Sequence, residues 1–180
     1  MLARFTPGKG HEEFLCAARE LSKEYANLKF LVVGEPSRGE TEYADKIKLL
    51  AGEYKLNNLI FTGFRGDIPE ILAAMDIFAF PSHSEAFGIA LVEAMAMKKP
   101  SVCSKAEGVL DIAVDGETSY LFENKNAADL KAKLKLLIES KEKQVEFGEN
   151  ARKRILENFD IEIVTGKVLK IYQAEMSRAY

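Results

Sequence analysis

A regular alternation of short apolar runs with longer segments of helical periodicity constrains the fold of this chain more than any other feature. Five runs of four or five residues are mostly apolar, with little alternation between apolar and polar side chains; they cover residues 30–33, 59–62, 76–80, 100–103 and 119–122. Strands that are buried on both faces of a parallel sheet have this pattern. The runs therefore predict a parallel sheet whose strands lie in the core.

Helical periodicity fills the intervals between these runs. Four helices are predicted ahead of the tail, over residues 11–25, 41–54, 67–75 and 88–97. Asp67 is the expected cap of the third helix, with Pro69 in its first turn. From Asn126 onward the pattern predicts a helical tail in three pieces, with breaks near Ser140 and at residues 159–160. Strict alternation of strand and helix predicts an α/β fold with a doubly wound parallel sheet.

Composition and charge narrow the class of protein. The length of 180 residues suits one domain, which we predict to span residues 1–180, with residues 126–180 as its tail. The net charge of −3 argues against a nucleic-acid-binding surface. Cys16 and Cys103 lie outside any CxxC motif, so we expect buried free thiols in a reducing cytoplasm. The sequence contains neither an apolar run of the ~20 residues that a membrane span needs nor the apolar core of a signal peptide near its start.

The first residues are unusual for a sheet of this kind. Arg4 lies in a predicted loop that directly follows a strand, yet only three residues precede it. A central strand ordinarily needs about five or six residues. We therefore expect the natural protein to continue upstream of Met1.

In open α/β sheets, ligands bind outside the carboxyl ends of the strands. Four predicted loops leave such ends, and they cover residues 4–10, 34–40, 63–67 and 81–86. The first loop carries Arg4 and Lys9 around a Pro-Gly turn. Two cations at a strand end can neutralise a diphosphate and stabilise the charge that grows on it as it leaves. An ordinary surface loop with two cations is an equally good interpretation of this loop by itself.

The last of these loops opens the segment PSHSEAFGIALVE, residues 81–93, which carries the most specific pattern in the chain. Gly88 allows a ligand to approach the backbone, and the free N–H groups at the start of the following helix favour an anion such as phosphate. Glu85 and Glu93 flank this position. Carboxylates repel phosphate but accept hydrogen bonds from hydroxyl groups, which a nucleotide sugar carries on both sides of its diphosphate. Taken singly, each glutamate is more often a helix-dipole partner or a solvated side chain.

These residues together resemble the retaining glycosyltransferases of family 4, also called glycosyl transferases group 1, which have the GT-B fold. The resemblance rests on ARFTPGKG, on the segment GFRGDIPEILAAMDIFAFPSHSEAFGIALVEAMAMKKP and on VDGETSYLF, and it covers nearly the whole chain. It implies a Rossmann-like, carboxyl-terminal domain that binds the nucleotide-sugar donor. It also implies a partner that this chain does not contain, an amino-terminal domain that binds the acceptor.

The resemblance implies a role for each predicted site residue. Arg4 and Lys9 would bind the diphosphate and Glu85 would hold hydroxyls of the transferred sugar, so these three are the predicted catalytic residues. Glu93 would accept hydrogen bonds from the ribose hydroxyls, and Phe64 would lie at the edge of the base. The remaining predicted contacts are backbone N–H groups, those of Phe87, Gly88 and Ile89.

The same resemblance implies the chemistry of the whole protein. We expect a UDP- or GDP-linked donor, no metal and no other cofactor, since the chain has no DxD motif. Products of the glycolipid or surface-polysaccharide class are expected, with a cytoplasmic protein that associates peripherally with the inner face of the membrane. This chain by itself is expected to bind the donor without transferring its sugar.

Departures from the family pattern and two alternatives accompany this prediction. Ala3 and Ser119 replace common glycines, and Asp111 replaces a common glutamate, which leaves the sugar specificity open.

A nucleotide-sugar epimerase would need an acid/base pair at the sugar, and His11 and His83 are poor candidates for a base. The second alternative is a non-catalytic module, either a nucleotide-binding regulatory domain or a phospho-receiver. A phospho-receiver would need acidic residues at the strand ends, but three of the predicted strands end in glycine, glycine and proline.

Overall fold

A computed structural model describes residues 1–39 and 41–178 of the chain. The five strands are β1 (Phe30–Val32), β2 (Leu59–Phe61), β3 (Phe78–Phe80), β4 (Ser101–Ser104) and β5 (Ser119–Phe122). The eight helices described are α1 (His11–Glu24), α2 (Thr41–Glu53), α3 (Ile68–Ala73), α4 (Ile89–Ala96), α5 (Glu107–Ile112), α6 (Ala127–Ile138), α7 (Lys141–Asn158) and α8 (Ile161–Arg178). Strand and helix alternate up to β5, and helices follow, as predicted.

All strand pairs in the sheets are parallel. β1 pairs with β2, and β3, β4 and β5 pair in that order. Parallel neighbours need a crossover connection, and α2, α4 and α5 provide it here. The α/β fold with parallel sheets is therefore confirmed.

The first three residues run alongside β1. Leu2 forms a parallel bridge with Val33, the Ala3 N–H donates to the Val33 carbonyl at 2.9 Å, and the Val33 N–H donates to the Met1 carbonyl at 3.0 Å. The amino-terminal ammonium is buried and donates to the Leu31 carbonyl at 2.7 Å. Burial lowers the pKa of this ammonium to about 5. These bonds place Arg4 at the carboxyl end of β1.

An apolar groove of about 530 Å³ lies next to Met1, between the sheet of β1 and β2 and the sheet of β3, β4 and β5. Its walls come from both of them, with Phe30 and Leu31 on one side and Ile77 and Ala79 on the other. The groove therefore continues the path of residues 1–3 between β1 and β3, and it has room for an extended segment.

The core consists of two clusters of buried side chains, one on each side of the sheets. β3 and β4 are buried along their whole lengths, as predicted for strands covered on both faces. The same prediction is wrong for β2. It pairs with β1 alone, so it is an edge strand, and Ile60 at its centre is 49% exposed.

The helical tail follows the predicted breaks. Asn126 and Ser140 cap α6 and α7, each accepting from the backbone N–H three residues ahead, at 3.0 and 3.2 Å. α7 ends at Phe159, and α8 begins after Asp160. None of the side chains of α8 is buried, although eight of them are large and apolar, with 38% to 74% of their surface exposed; they are Ile161, Ile163, Val164, Val168, Leu169, Ile171, Tyr172 and Met176.

Three local details differ from the predictions. Asp67 precedes α3, but its carboxylate pairs with Arg65 at 2.5 Å and makes no capping bond to the helix. Cys103 is buried, which raises the pKa of its thiol to about 12, whereas Cys16 is only half-buried on the outer side of α1. The helix α5 was not predicted, because its six residues are too few to show a clear period.

Across the described residues, no helix is both long and apolar enough to cross a membrane.

Candidate functional site

Two adjoining cavities open at the carboxyl ends of the strands. The first has a volume of about 410 Å³ and lies between the loop that carries Arg4 and Lys9 and the start of α4. The second has a volume of about 710 Å³ and lies between the same start of α4 and the loops that follow β1 and β2. Leu2, Ala3, Arg4, Ile89 and Ala90 belong to the walls of both cavities, so the two are halves of one continuous depression.

Every predicted site residue lies in this depression. The first cavity contains the predicted diphosphate and sugar contacts, namely Arg4, Lys9, Glu85, Phe87, Gly88 and Ile89. The second contains the predicted ribose and base contacts, Glu93 and Phe64. Glu85 and Glu93 therefore lie in different halves of the depression, and the start of α4 belongs to both halves.

The start of α4 presents backbone N–H groups to the depression. Gly88 precedes the helix with a φ of 89°, a left-handed conformation that glycine adopts without strain. In the described part of the chain, the first bonds of this turn run from the N–H groups of Leu91 and Val92 to the Gly88 carbonyl, and the N–H groups of Ile89 and Ala90 have no backbone acceptor. Such groups, with the positive end of the helix dipole, favour an anion.

Lys9 and Glu85 form an ion pair in the first cavity. The Lys9 Nζ atom lies 2.5 Å from Glu85 Oε1, and the two side chains are 24% and 15% exposed. The two loops also contact each other through the backbone, because the His83 N–H donates to the Gly8 carbonyl at 2.8 Å. A cation and a carboxylate that the sequence separates by 76 residues thus share one wall.

The loop that carries Glu85 is held by its own carbonyl groups. Four consecutive carbonyls, of residues 82–85, each accept a hydrogen bond from a different donor. The donors are, in that order, Ser104 Oγ, Asn124 Nδ2 at 2.7 Å, Ser82 Oγ at 3.2 Å and the Gly108 N–H at 3.0 Å. Three of the four donors come from other elements, which fixes the path of the loop and the origin of the Glu85 side chain.

The second cavity is more open. Phe64 is 71% exposed at its rim, and Arg4 donates to Ser37 Oγ at 3.3 Å across it. Desolvation raises the pKa of Glu93 above that of an ordinary glutamate. Hydroxyl groups of a ligand could compensate this loss of solvation, because a carboxylate accepts hydrogen bonds from them.

The two histidines do not face the cavities. His83 Nε2 lies 2.9 Å from Glu13 Oε1, on the side of the loop that faces α1. His11 is fully buried, with its ring stacked on Phe5 at a centroid distance of 4.6 Å. Within residues 1–39 and 41–178, no group of three or more His, Cys, Asp or Glu side chains is arranged to hold a metal ion.

Sequence reasoning missed the residues that hold the loop. Ser104, Gly108 and Asn124 follow Glu85 by about 20 to 40 positions and form no local motif with it. One signal was available, since Ser104 ends β4 and Asn124 lies two residues after the end of β5. The rule that sites form at the carboxyl ends of strands applies to these residues as well.

Comparison with known proteins agrees with this architecture. An N,N'-diacetylbacillosaminyl-diphospho-undecaprenol alpha-1,3-N-acetylgalactosaminyltransferase of Campylobacter jejuni is 33% identical over 172 residues, which are 96% of this chain and 43% of that protein. HepE of Anabaena in complex with UDP superposes with a TM-score of 0.89 at 27% identity, over 96% of this chain and 47% of that one. HepE is also known in complex with UDP-glucose.

A separate carboxyl-terminal domain is similar as well. That domain, from a glycosyl transferase group 1 family protein of Francisella tularensis, superposes with a TM-score of 0.81 at 29% identity, over 89% of this chain and 85% of that one. The fold is thus the Rossmann-like fold of the carboxyl-terminal half of GT-B glycosyltransferases. The chain spans less than half the length of the Campylobacter jejuni enzyme and of HepE. A family model described as glycosyl transferases group 1 matches residues 1–154, and the chain belongs to that family.

Proposed function

We propose that this domain binds the nucleotide-sugar donor of a retaining glycosyltransferase. One observation carries the proposal. Arg4 and the unbonded N–H groups at the start of α4 lie where the two cavities of one continuous depression join, with the Lys9–Glu85 pair in the first cavity and Glu93 in the second. Positive charge between two carboxylates matches a diphosphate between two groups that carry hydroxyls.

The proposed roles follow the order of these groups along the depression. Arg4 and Lys9 bind the diphosphate together with the N–H groups of Gly88 and Ile89. Phe87 and Glu85 contact the transferred sugar, and the Glu85 carboxylate accepts hydrogen bonds from its hydroxyls.

In the second cavity, Glu93 accepts hydrogen bonds from the ribose hydroxyls, and Phe64 lies beside the base. HepE, which shares the fold at 27% identity, is known with UDP and with UDP-glucose, and this favours a UDP-linked donor over a GDP-linked one.

The chemistry required of the site is the departure of a nucleoside diphosphate. As the bond between the sugar and the distal phosphate oxygen breaks, negative charge grows on that oxygen. Fixed cations and N–H dipoles stabilise this charge, and removing one such group typically costs about 3–4 kcal/mol of barrier. Since these groups are already present, we propose that the reaction needs no metal.

The acceptor contacts lie outside this chain in our proposal. Transfer requires a second, amino-terminal domain that binds the acceptor, so this chain by itself binds the donor without transferring its sugar. The relative in Campylobacter jejuni has an acceptor joined to undecaprenol through a diphosphate, according to its name. We propose a product of the glycolipid or surface-polysaccharide class, made by a cytoplasmic protein that associates with the membrane surface.

Calorimetric titration of the chain with UDP, GDP and ADP, and with a sugar conjugate of each, tests the proposal. We expect binding of UDP and a UDP-sugar, with weaker or no binding of the other two nucleotides. Circular dichroism establishes that the protein is folded under the same conditions. A folded domain that binds none of the six compounds would contradict the proposed function.

A further inference from the structure

The peptide that follows Glu85 lies against the first turn of α5. The Gly108 N–H donates to the Glu85 carbonyl at 3.0 Å. A Cβ atom built on Gly108 would lie 2.5 Å from the carbonyl oxygens of both Glu85 and Ala86, closer than a carbon and an oxygen atom can pack. Gly108 is buried in the first turn of α5, and its φ lies outside the left-handed region. The close approach, not the backbone conformation, requires glycine here.

The other end of α5 is held by α7. Arg154 donates from Nε to the Ile112 carbonyl at 2.6 Å and from Nη2 to the Asp111 carbonyl at 2.7 Å. The Ile112 side chain also lies near Gly88, since a Cβ atom on Gly88 would be 3.8 Å from Ile112 Cδ1. α5 therefore touches the site loop at both of its functional positions, the peptide of Glu85 and the start of α4.

We propose that Gly108 is a positioning residue for Glu85. By letting α5 approach the peptide between residues 85 and 86, it sets how far the Glu85 carboxylate lies from Lys9 and the start of α4. This inference rests on the proposed function, because it takes Glu85 as the residue that binds the sugar. A side chain at position 108 pushes the peptide away from α5, and a displacement of about 1 Å can reduce the effectiveness of a site about a hundredfold.

The position of Gly108 predicts different effects on the binding of UDP and of UDP-glucose. The Arg4, ribose and base contacts come from other segments, and the N–H groups of Gly88 and Ile89 belong to the start of α4 rather than to the peptide between residues 85 and 86, so UDP alone should be much less sensitive to residue 108 than UDP-glucose. UDP-glucose makes one more contact than UDP, between its sugar and Glu85, and this contact depends on where residue 108 places the Glu85 carboxylate. In Gly108→Ala we therefore expect the affinity for UDP-glucose to fall about tenfold or more, while the affinity for UDP stays within about twofold.

The experiment compares UDP and UDP-glucose by calorimetry in the wild type, in Gly108→Ala and in a matched control. Gly52→Ala is the control, because Gly52 also lies inside a helix and a Cβ atom on it meets nothing within 4 Å. Gly108→Ala is also measured in a Glu85→Gln background, where it should change the affinity for UDP-glucose by less than about twofold. Merely structural damage would lower the affinity in both backgrounds.

The outcomes separate this inference from the proposed function. A wild type that is folded but binds neither compound contradicts the function. A wild type that binds both, with Gly108→Ala indistinguishable from Gly52→Ala or with UDP weakened as much as UDP-glucose, overturns the positioning role alone. If Gly108→Ala does not fold, Arg154→Met loosens the far end of the same helix. We expect it to reduce the affinity for UDP-glucose about threefold or more, and unchanged affinity would overturn the inference.

Discussion

The ammonium group of Lys9 lies 2.5 Å from a carboxylate oxygen of Glu85, so the candidate site contains an internal ion pair. In the proposed function these two groups serve different parts of the donor, the diphosphate and the sugar. The pair holds both side chains against one wall of the first cavity. The pair also couples the two side chains, because each substitution frees the other partner, so each variant has to be measured with both UDP and UDP-glucose.

Substitution of either partner should affect UDP and UDP-glucose differently. Lys9→Met removes a diphosphate contact, so we expect both affinities to fall about tenfold or more, since hydrogen bonds to charged groups contribute about 1.5–3 kcal/mol. Glu85→Gln should leave the affinity for UDP within about threefold and abolish the additional effect of the sugar. Calorimetry checks this, with Lys23→Met on the exposed face of α1 as the control. Equal effects of Glu85→Gln on both compounds would disprove the division of roles.

Glu93→Gln should weaken binding and stabilise the fold at the same time. Desolvation raises the pKa of Glu93 in the folded protein, so folding favours its neutral form and the charged form opposes folding at neutral pH. The neutral amide should therefore increase the free energy of unfolding in urea at pH 7. We expect UDP and UDP-glucose to lose affinity by the same factor, since both carry the ribose. A destabilised Glu93→Gln variant would show that the carboxylate has a structural partner instead.

The stability of the domain should fall as the pH is lowered. Burial lowers the pKa of His11 to about 4 from an ordinary value of 6.5, so the unfolded chain binds more protons between these values. Stability contributed by neutral His11 is complete above pH 6.5 and is lost as the pH falls toward 4. The buried amino terminus acts in the same direction between pH 8 and about 5. In His11→Leu, urea unfolding should show a flatter pH dependence below pH 6.5 only; a curve parallel to the wild type would contradict the assignment.

Filling the groove beside Met1 should raise the melting temperature. An extension of four apolar, β-branched residues ahead of Met1 can lie between Leu31 of β1 and Ala79 of β3, where the groove has a volume of about 530 Å³. A Gly-Ser extension of equal length is the control, since it removes the buried ammonium without filling the groove. A gain of about 2 kcal/mol corresponds to roughly 4–8 °C in a domain of this size, measured by circular dichroism. Equal melting temperatures for the two extensions would show that the groove does not accept a strand.

The fold could be predicted from the sequence because its signal is local and repeated. Buried strands such as β3 and β4 appear as apolar runs, and the breaks at Ser140 and Asp160 carry ordinary capping residues. The prediction that β2 is buried on both faces was wrong, because burial of a strand depends on its position in the sheet. Whether the run at β2 is central or at an edge is decided by its neighbours, and the sequence of β2 itself carries no trace of them.

That the predicted site residues line one depression could be anticipated from the sequence, but the residues that support them could not. The proposed ligand contacts lie on the loops that leave strand ends and on the first turns of α4, which the topology of an open sheet places side by side. Gly108 and Asn124 act through single hydrogen bonds to the backbone of a distant loop. A backbone acceptor is present at every residue, so no residue type on the loop indicates that such a bond exists.

The four anchored carbonyls of residues 82–85 also bear on how this loop can change over time. Every amino acid carries a main-chain carbonyl, so three of the anchors make no demand on the side chains of the loop itself. Ser84 and Ala86 are exposed beside Glu85. They can be exchanged while the frame that carries Glu85 remains in place. Ala86 also lines the first cavity, so in the proposed function drift at this position can alter the sugar that is accepted without rebuilding the scaffold beneath Glu85.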